Sequence, residues 1–310
     1  MKRVSIIIVT YNSERDIYDC ITSIKEHADI PLSDIELIVV DNQSNAPQPM
    51  FNRLRQQWGT DIVLIENTQN GGYGQGNNVG IRKSTAPIIL IMNPDVRLMD
   101  PFFKTPLDEF EKNPQLCVCG MKQMLTATKS STFTCSFTYM MNGYFRTLLT
   151  GICSRFDYYY APLMYFSGSC FFIRKLMFEQ VGLFDESIFM YGEEDDIHHR
   201  ICKKFGPKMK YLKHLHYMHL IDNRLPDVKY ETKLLDVAIV QNDKNGYPPH
   251  KTIRTFLQIN SVLLFRMRLL RLFGKEDPEQ LKMLREFRRI ILQKRIEVKY
   301  NKEKGNNNEF

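Results

Sequence analysis

Short apolar runs alternate with amphipathic stretches through the first hundred positions, and each run stops at polar side chains. Val4 to Thr10 (VSIIIVT) reads as a strand buried on both faces. Ser13 is placed to cap a helix running to about His27, with Ile17, Cys20, Ile21 and Ile24 on one side. Ile35 to Val40 is a second buried strand, ending at Asp41 and Asn42, and Pro47 can open a helix through Phe51 and Leu54 to Trp58. Ile62 to Ile65, ending at Glu66 and Asn67, is a third. A glycine-rich loop then leads to a helix near Gln75 to Lys83 and to a fourth run, Ile88 to Met92. That run stops at Asn93, Pro94 and Asp95, because Pro94 has no N–H to continue a ladder. The alternation predicts an α/β fold with a doubly wound, mostly parallel sheet.

Beyond Pro101 the pattern loosens. Phe102 to Lys112 reads as a helix, and residues 126–165 are rich in Ser, Thr and aromatics, expected mainly to fill core and loop packing. Tyr165 to Ile173 reads as one strand with a small-residue break at Gly168 and Ser169, followed by a short helix from Lys175 to Val181 that Gly182 ends. Four consecutive carboxylates, Glu193 to Asp196, open a further helix that closes with Lys203, Lys204 and Gly206. The helix dipole accounts for one or two of them. Four in a row repel, and such crowding raises at least one pKa, as a general base working near neutral pH requires. Met209 to Met218 is strand-like, with His214, His216 and His219 nearby. His219, or alternatively His216, is the candidate imidazole for a metal. Two basic helices, Ile253 to Phe273 and Glu279 to about Lys299, precede a polar end.

Charge sharpens this picture at one place. The formal net charge of +7 is modest, but Lys and Arg crowd residues 251–304. Those helices either lie on an anionic membrane or pack on the core. No nucleic-acid partner is expected. Seven scattered cysteines, with no C-x₂-C pair, fit reduced thiols in a cytosolic protein. No cleavable leader is read at the start, and no apolar window reaches the ~18 residues of a membrane span. The expected place is the cytoplasm, peripheral on the inner face of the cell membrane if the basic helices engage it.

Parallel strand order would gather Thr10 to Asn12, Asp41, Asn67, and Asn93 with Asp95 along one sheet edge, where open α/β sheets bind nucleotides. A carboxylate at Asp95 could hold Mg²⁺ or Mn²⁺ against a diphosphate. The loop from Asn70 to Gly80 has a Gly-x-Gly-x-x-x-Gly spacing after the third strand. It is therefore not a dinucleotide fingerprint, and the lack of Gly-Lys-Ser/Thr excludes a P-loop. Its backbone N–H groups can still approach a ligand; the alternative is that its glycines serve only as a turn.

The segments VSIIIVTYN, IVVDNQS, NGGYGQGNNVGI, LIMNPDV, SGSCFFIRK, GLFDESIFMY and GEEDDIHHR, in this order, resemble a family 2 glycosyltransferase. The branch is that of bacterial rhamnosyltransferases and related cell-surface polysaccharide enzymes, and the likeness runs from Val4 to about Asp222. It implies a single GT-A-type, Rossmann-like nucleotide-sugar-binding domain with a C-terminal helical extension. Residues 1–230 would form that domain (1–100 nucleotide-binding, 101–230 acceptor-binding), 231–300 the basic extension and 301–310 a frayed tail. The implied reaction is inverting transfer from a nucleoside-diphosphate sugar, dTDP-rhamnose or a UDP-hexose, to a saccharide or lipid-linked saccharide. By resemblance Thr10, Tyr11, Asn12 and Asp41 hold base and ribose, and the loop with Asn70, Gly72 and Asn77 lies by the diphosphate or sugar. Asp95 binds the metal, with Asn93 in place of a first Asp. The base falls on Glu194, or on Asp195 if the turn shifts by one residue. The competing readings are a nucleotidyltransferase, which would want a basic glycine-rich loop after the first strand, and an inactive sugar-nucleotide-binding protein.

Overall fold

The computed structural model describes residues 1–220, 227–275 and 277–306, with side chains described as far as Lys299. The strands are β1 (Val4–Thr10), β2 (Ile35–Asp41), β3 (Val63–Glu66), β4 (Ile88–Met92), β5 (Val96–Leu98), β6 (Val118–Met124), β7 (Cys135–Phe137), β8 (Met164–Phe166), β9 (Cys170–Arg174) and β10 (Met209–His219). The helices are α1 (Glu14–Glu26), α2 (Pro47–Trp58), α3 (Gly72–Lys83), α4 (Lys104–Lys112), α5 (Gly143–Phe156), α6 (Lys175–Gln180), α7 (Glu193–Phe205), α8 (Val228–Lys244), α9 (Pro249–Leu272) and α10 (Pro278–Asn306). The strand end expected at 220–223 falls, from 221 onward, outside the described residues, as do positions 307–310 of the expected tail.

The chain forms two compact units. The first comprises Met1–Ser136 and Tyr159–Asp222, the second Phe137–Tyr158 and Asn223–Phe310. In the first, an eight-stranded sheet runs β3-β2-β1-β4-β9-β6-β10-β5. β3, β2, β1 and β4 are parallel, as their alternation with helices requires. β9 enters antiparallel between β4 and β6, and β5 is antiparallel to β10, so the sheet is mixed. Alternate side chains of β1 feed two cores: Ile6 and Ile8 join Ile17, Ile21 and Leu54 from α1 and α2, whereas Ile7 joins Ile81, Phe178 and Ile197 from α3, α6 and α7.

Four local expectations are corrected. Ser13 sits at the cap position of α1, but its side chain bonds Tyr11 backbone and caps no helical N–H. The helix expected from Gln75 begins at Gly72, so much of the glycine loop is helical. A Cβ at Gly76 would lie 2.8 Å from Val9 Cγ1 and one at Gly80 2.6 Å from Ile7 Cγ2. Those glycines therefore let α3 lie closer to β1 than side chains would permit. The single strand expected over Tyr165 to Ile173 is two strands, with Gly168 and Ser169 at the corner between them and β8 outside the large sheet. Finally, the aromatic stretch at 126–165 includes a whole helix, α5. It leaves Phe145, Leu148, Ile152 and Phe156 exposed, so core packing does not account for them.

The second unit has its own core, in which Leu235 and Ala238 of α8, Ile253 and Phe256 of α9, and Phe287 and Ile291 of α10 meet. No helix among the described residues is long and apolar enough to cross a membrane.

Candidate functional site

Thr10 and Asp41 stand opposite each other at the ends of β1 and β2, both fully buried. The Asp41 carboxylate accepts from Thr10 Oγ1 (3.1 Å), Ser44 Oγ (2.6 Å) and Ser44 N (2.8 Å). Ser44 Oγ in turn accepts from Asn12 N at 2.8 Å, which ties together the turns after β1 and β2. Asn12 takes a left-handed backbone (φ 51°), a conformation Asn tolerates better than most residues, and Tyr11 beside it is exposed.

The start of α3 is moored to that edge by amides. Asn42 Nδ2 donates to Gly72 O (2.9 Å) and Asn70 Oδ1 (3.2 Å), while Asn67 Nδ2 donates to Asn42 Oδ1 and to Gln75 Oε1, each at 2.7 Å. Gly72 has φ +89°, and a Cβ there would lie 1.9 Å from Phe189 O, so only glycine fits. Asn77 is buried within α3, where its Nδ2 donates to Tyr73 O at 2.9 Å. Its Oδ1 accepts no hydrogen bond from the described residues. Asn78 clasps the segment leading to α7, donating to Phe184 O and Glu186 Oε1 and accepting from Phe184 N.

Tyr73 carries the connection further. Its N–H donates to Phe189 O (3.0 Å) and its hydroxyl to Gly168 O (2.6 Å). Gly168 N donates to Glu194 Oε1 at 3.0 Å, and on the other side of this corner Ser169 O accepts Asn93 N at 2.8 Å. Burial pushes the Glu194 carboxyl above the usual range. The N–H groups of Glu194 itself and Gly168 oppose that rise, and the Asp195 charge adds to it. Of the other acids of the run, Asp196 pairs with Arg200 at 2.6 Å, the Asp195 charge acts on His198 and His199 as well as on Glu194, and the Glu193 charge acts on Tyr73. Burial holds both of those imidazoles below the usual histidine range.

A Cβ on Gly168 would meet Glu194 Oε1 at 2.3 Å. Gly168→Ala is therefore expected to displace the carboxylate; with Glu194 as the base that the family resemblance implies, turnover would fall roughly 10²-fold, the scale of an ångström's misplacement, with donor affinity kept. Steady-state kinetics beside donor titration check this. An unchanged kcat would show that the carboxylate position is immaterial.

Asp95 lies just beyond β4. Its Oδ1 is buried, accepts no hydrogen bond from the described residues, and is 3.2 Å from His219 Nε2. A buried carboxylate oxygen and an imidazole nitrogen this close suit a shared divalent cation. Among the described residues no cluster of three or more His, Cys, Asp or Glu surrounds it, and Mg²⁺ commonly keeps water and substrate phosphate among its ligands. His216 is engaged elsewhere, its Nδ1 2.8 Å from Asp100 Oδ2. Behind His219, Gln123 Nε2 lies 3.4 Å from its Nδ1. Tyr217, which donates to Gln123 Oε1, lies 3.1 Å from Ser169 Oγ, back at the Gly168 corner.

Hydrogen bonds and chain neighbours thus link Asp41 and Asn42 through Gly72, Tyr73 and Gly168 to Glu194, with branches from Ser169 to Asn93 and, through Tyr217 and Gln123, to His219 beside Asp95. Tyr73 and Asn78 were not singled out from the sequence, whereas Asn67 was, as a polar strand end, and Asn42 only as the stop of the second apolar run. For Gly168 the signal was the small-residue break that it forms with Ser169.

A family profile described as "Glycosyl transferase family 2" matches residues 5–182. The chain is 30% identical over 218 residues to the low-salt glycan biosynthesis hexosyltransferase Agl10 of Haloferax volcanii, covering 63% of this chain and 60% of the relative. It is 28% identical over 96 residues to the poly(ribitol-phosphate) beta-N-acetylglucosaminyltransferase TarS of Staphylococcus aureus, covering 31% of this chain and 16% of that one. The chain thus spans less than two thirds of the length of either relative. Among solved structures, the mannosyltransferase PcManGT of Pyrobaculum calidifontis, in complex with GDP-Man and Mn²⁺, superposes with TM-score 0.61 at 14% identity, over 95% of this chain and 87% of that one. GalNAc-T7 with UDP, GalNAc and Mn²⁺ gives 0.55 at 14% identity, over 76% and 48%. At such identities the likeness concerns the fold, which is that of the GT-A glycosyltransferases.

Proposed function

The chain belongs to glycosyl transferase family 2, and from that premise we propose that it moves a sugar, with inversion, from a nucleoside-diphosphate donor to a hydroxyl of a bacterial surface glycan or lipid-linked saccharide. What supports this is the chain of contacts from Asn42, beside Asp41, through Gly72, Tyr73 and Gly168 to Glu194, a carboxyl that burial pushes above the usual range. Thr10, Tyr11, Asn12 and Asp41 receive base and ribose. Asn70 and Gly72 border the diphosphate or sugar, supported from within α3 by Asn77. Glu194 takes the proton of the acceptor hydroxyl as its oxygen bonds to the anomeric carbon, and the bond from that carbon to the diphosphate oxygen breaks. Asp195 is the reserve candidate for that role. Asp95 and His219, with Asn93 beside them, would hold Mg²⁺ or Mn²⁺, which when bound supplies positive charge to the departing diphosphate. Peripheral membrane contact through 251–300 belongs to the same reading.

A melting panel of dTDP-, UDP- and GDP-sugars, with and without Mn²⁺, tests the donor assignment. One base class is expected to raise the melting temperature in a metal-dependent way, since ligand at a hundredfold excess over its Kd stabilises by about 2.7 kcal/mol. A flat response to every nucleotide sugar in the presence of metal would overturn it.

A further inference from the structure

The second unit exposes apolar residues in rows. On α5 these are Phe145, Leu148, Ile152 and Phe156, at helical spacing, with Phe145 61% and Phe156 72% exposed. On the last turns of α9 they are Phe265, Leu269 and Leu272, with Phe273 following at 73%. Scattered surface leucines need no explanation, but contiguous rows of Phe and Leu on a helix face do. The two helices pack on each other: Gly143 N donates to Gln258 Oε1 at 2.9 Å, and a Cβ on Gly143 would lie 2.3 Å from Thr255 O.

Charge separates these two helices from the rest of the unit. α5 and α9 contain no Asp or Glu, whereas α8 carries Glu231, Asp236 and Asp243, and α10 carries Glu279, Glu286, Glu297 and Glu303. Arg155 on α5 and Arg254, Arg266 and Arg268 on α9 are exposed, and among the described residues none of the four has an acidic partner. Apolar side chains interleaved with arginines, on helices without acids and too polar to span a membrane, are the composition of an interfacial surface. Arginine supplies attraction to lipid phosphate, and Phe and Leu supply burial at the acyl boundary.

We propose that α5 and the C-terminal half of α9 form a docking surface for an anionic phospholipid bilayer. The proposal rests on the reading of 251–300 as membrane-facing. It narrows that reading to the end of α9 and adds α5, a helix far from it in sequence. α10, with its mixed charge, is not the anchor.

Sedimentation of the full chain with phosphatidylcholine vesicles, pure or mixed with phosphatidylglycerol, tests this. Wild type should bind the mixed vesicles, bind neutral ones weakly, and release as salt rises. Phe145→Ser with Leu148→Ser should weaken that binding by about tenfold or more. Arg266→Glu with Arg268→Glu should remove the preference for anionic lipid. All four positions are exposed, and unchanged melting curves would establish that the variants fold. If wild type binds no vesicle, the membrane reading and this surface fall together. If wild type binds but these variants bind equally well, while charge reversal on α10 releases the protein, the membrane reading stands and this surface is wrong. Equal binding to neutral and anionic vesicles would also overturn it. So would a dimer in sedimentation equilibrium that Phe145→Ser dissociates, because a second copy would then cover the face.

Discussion

Glutamine at position 194 is expected to lower sugar transfer by ~10²–10⁴-fold at neutral pH, the usual contribution of a general base, while donor affinity stays near wild type. The substitution preserves shape, and the amide oxygen can still accept from Gly168 N, so the corner that positions the site survives. What disappears is the ability to take a proton. Asparagine at 195 is the control. The Asp195 charge acts on His198, His199 and, as the last of the causes, Glu194, but Asp195 makes no hydrogen bond to Gly168 like that of Glu194, so its loss should cost far less. If the two effects were reversed, the base assignment would move to Asp195.

The same carboxyl makes two pH predictions. Catalysis needs the ionised form, and burial raises its pKa, so wild-type kcat should fall on acidification at a higher pH than an ordinary glutamate would give. Stability runs the other way. A carboxyl whose folded pKa exceeds its unfolded value contributes most below the unfolded pKa, and that contribution is lost as pH rises through the folded pKa. At neutral pH the raised pKa of Glu194 therefore costs the fold stability, and Glu194→Gln should melt higher than wild type there, with the difference shrinking toward acid pH. Paired melting curves across pH would show it. A variant that melts lower at pH 7 would mean that its interactions outweigh its burial.

Alanine at position 95 should be nearly as damaging by a different route. Asp95 is the sole carboxylate named as a ligand, because Asn93 stands where the family resemblance places another. A cation's stabilisation of the leaving group is worth several kcal/mol, so loss of the ligand corresponds to roughly 10²–10³ in rate. The expected companion is weaker Mn²⁺ binding, measurable by electron paramagnetic resonance without turnover. His219→Ala should weaken Mn²⁺ binding in the same assay, whereas His216→Ala, at a residue held by Asp100, should not. Wild-type Mn²⁺ affinity in Asp95→Ala would remove Asp95 from the metal site whatever happened to the rate.

The strands β1, β2 and β4 and the acid-opened helix α7 were legible from the chain alone, because each depends on local regularities: unbroken apolar runs, a proline that ends a ladder, charges matched to a helix dipole. Polar strand ends pointed to one edge for a similar reason, since parallel order leaves them nowhere else to go. What the chain could not disclose depends on approach between distant segments. The helical start of α3 at Gly72 rests on Phe189 O lying where a side chain would be, and Gly168 matters because Glu194 comes to rest on it from the next element. The choice of His219 over His216 as the neighbour of Asp95 follows from how β10 pairs with its sheet, as does the antiparallel insertion of β9. Exposure of the α5 row was hidden for the same reason. Apolar spacing reports that a face seeks cover, and only the packing of the finished unit shows that the protein leaves it bare.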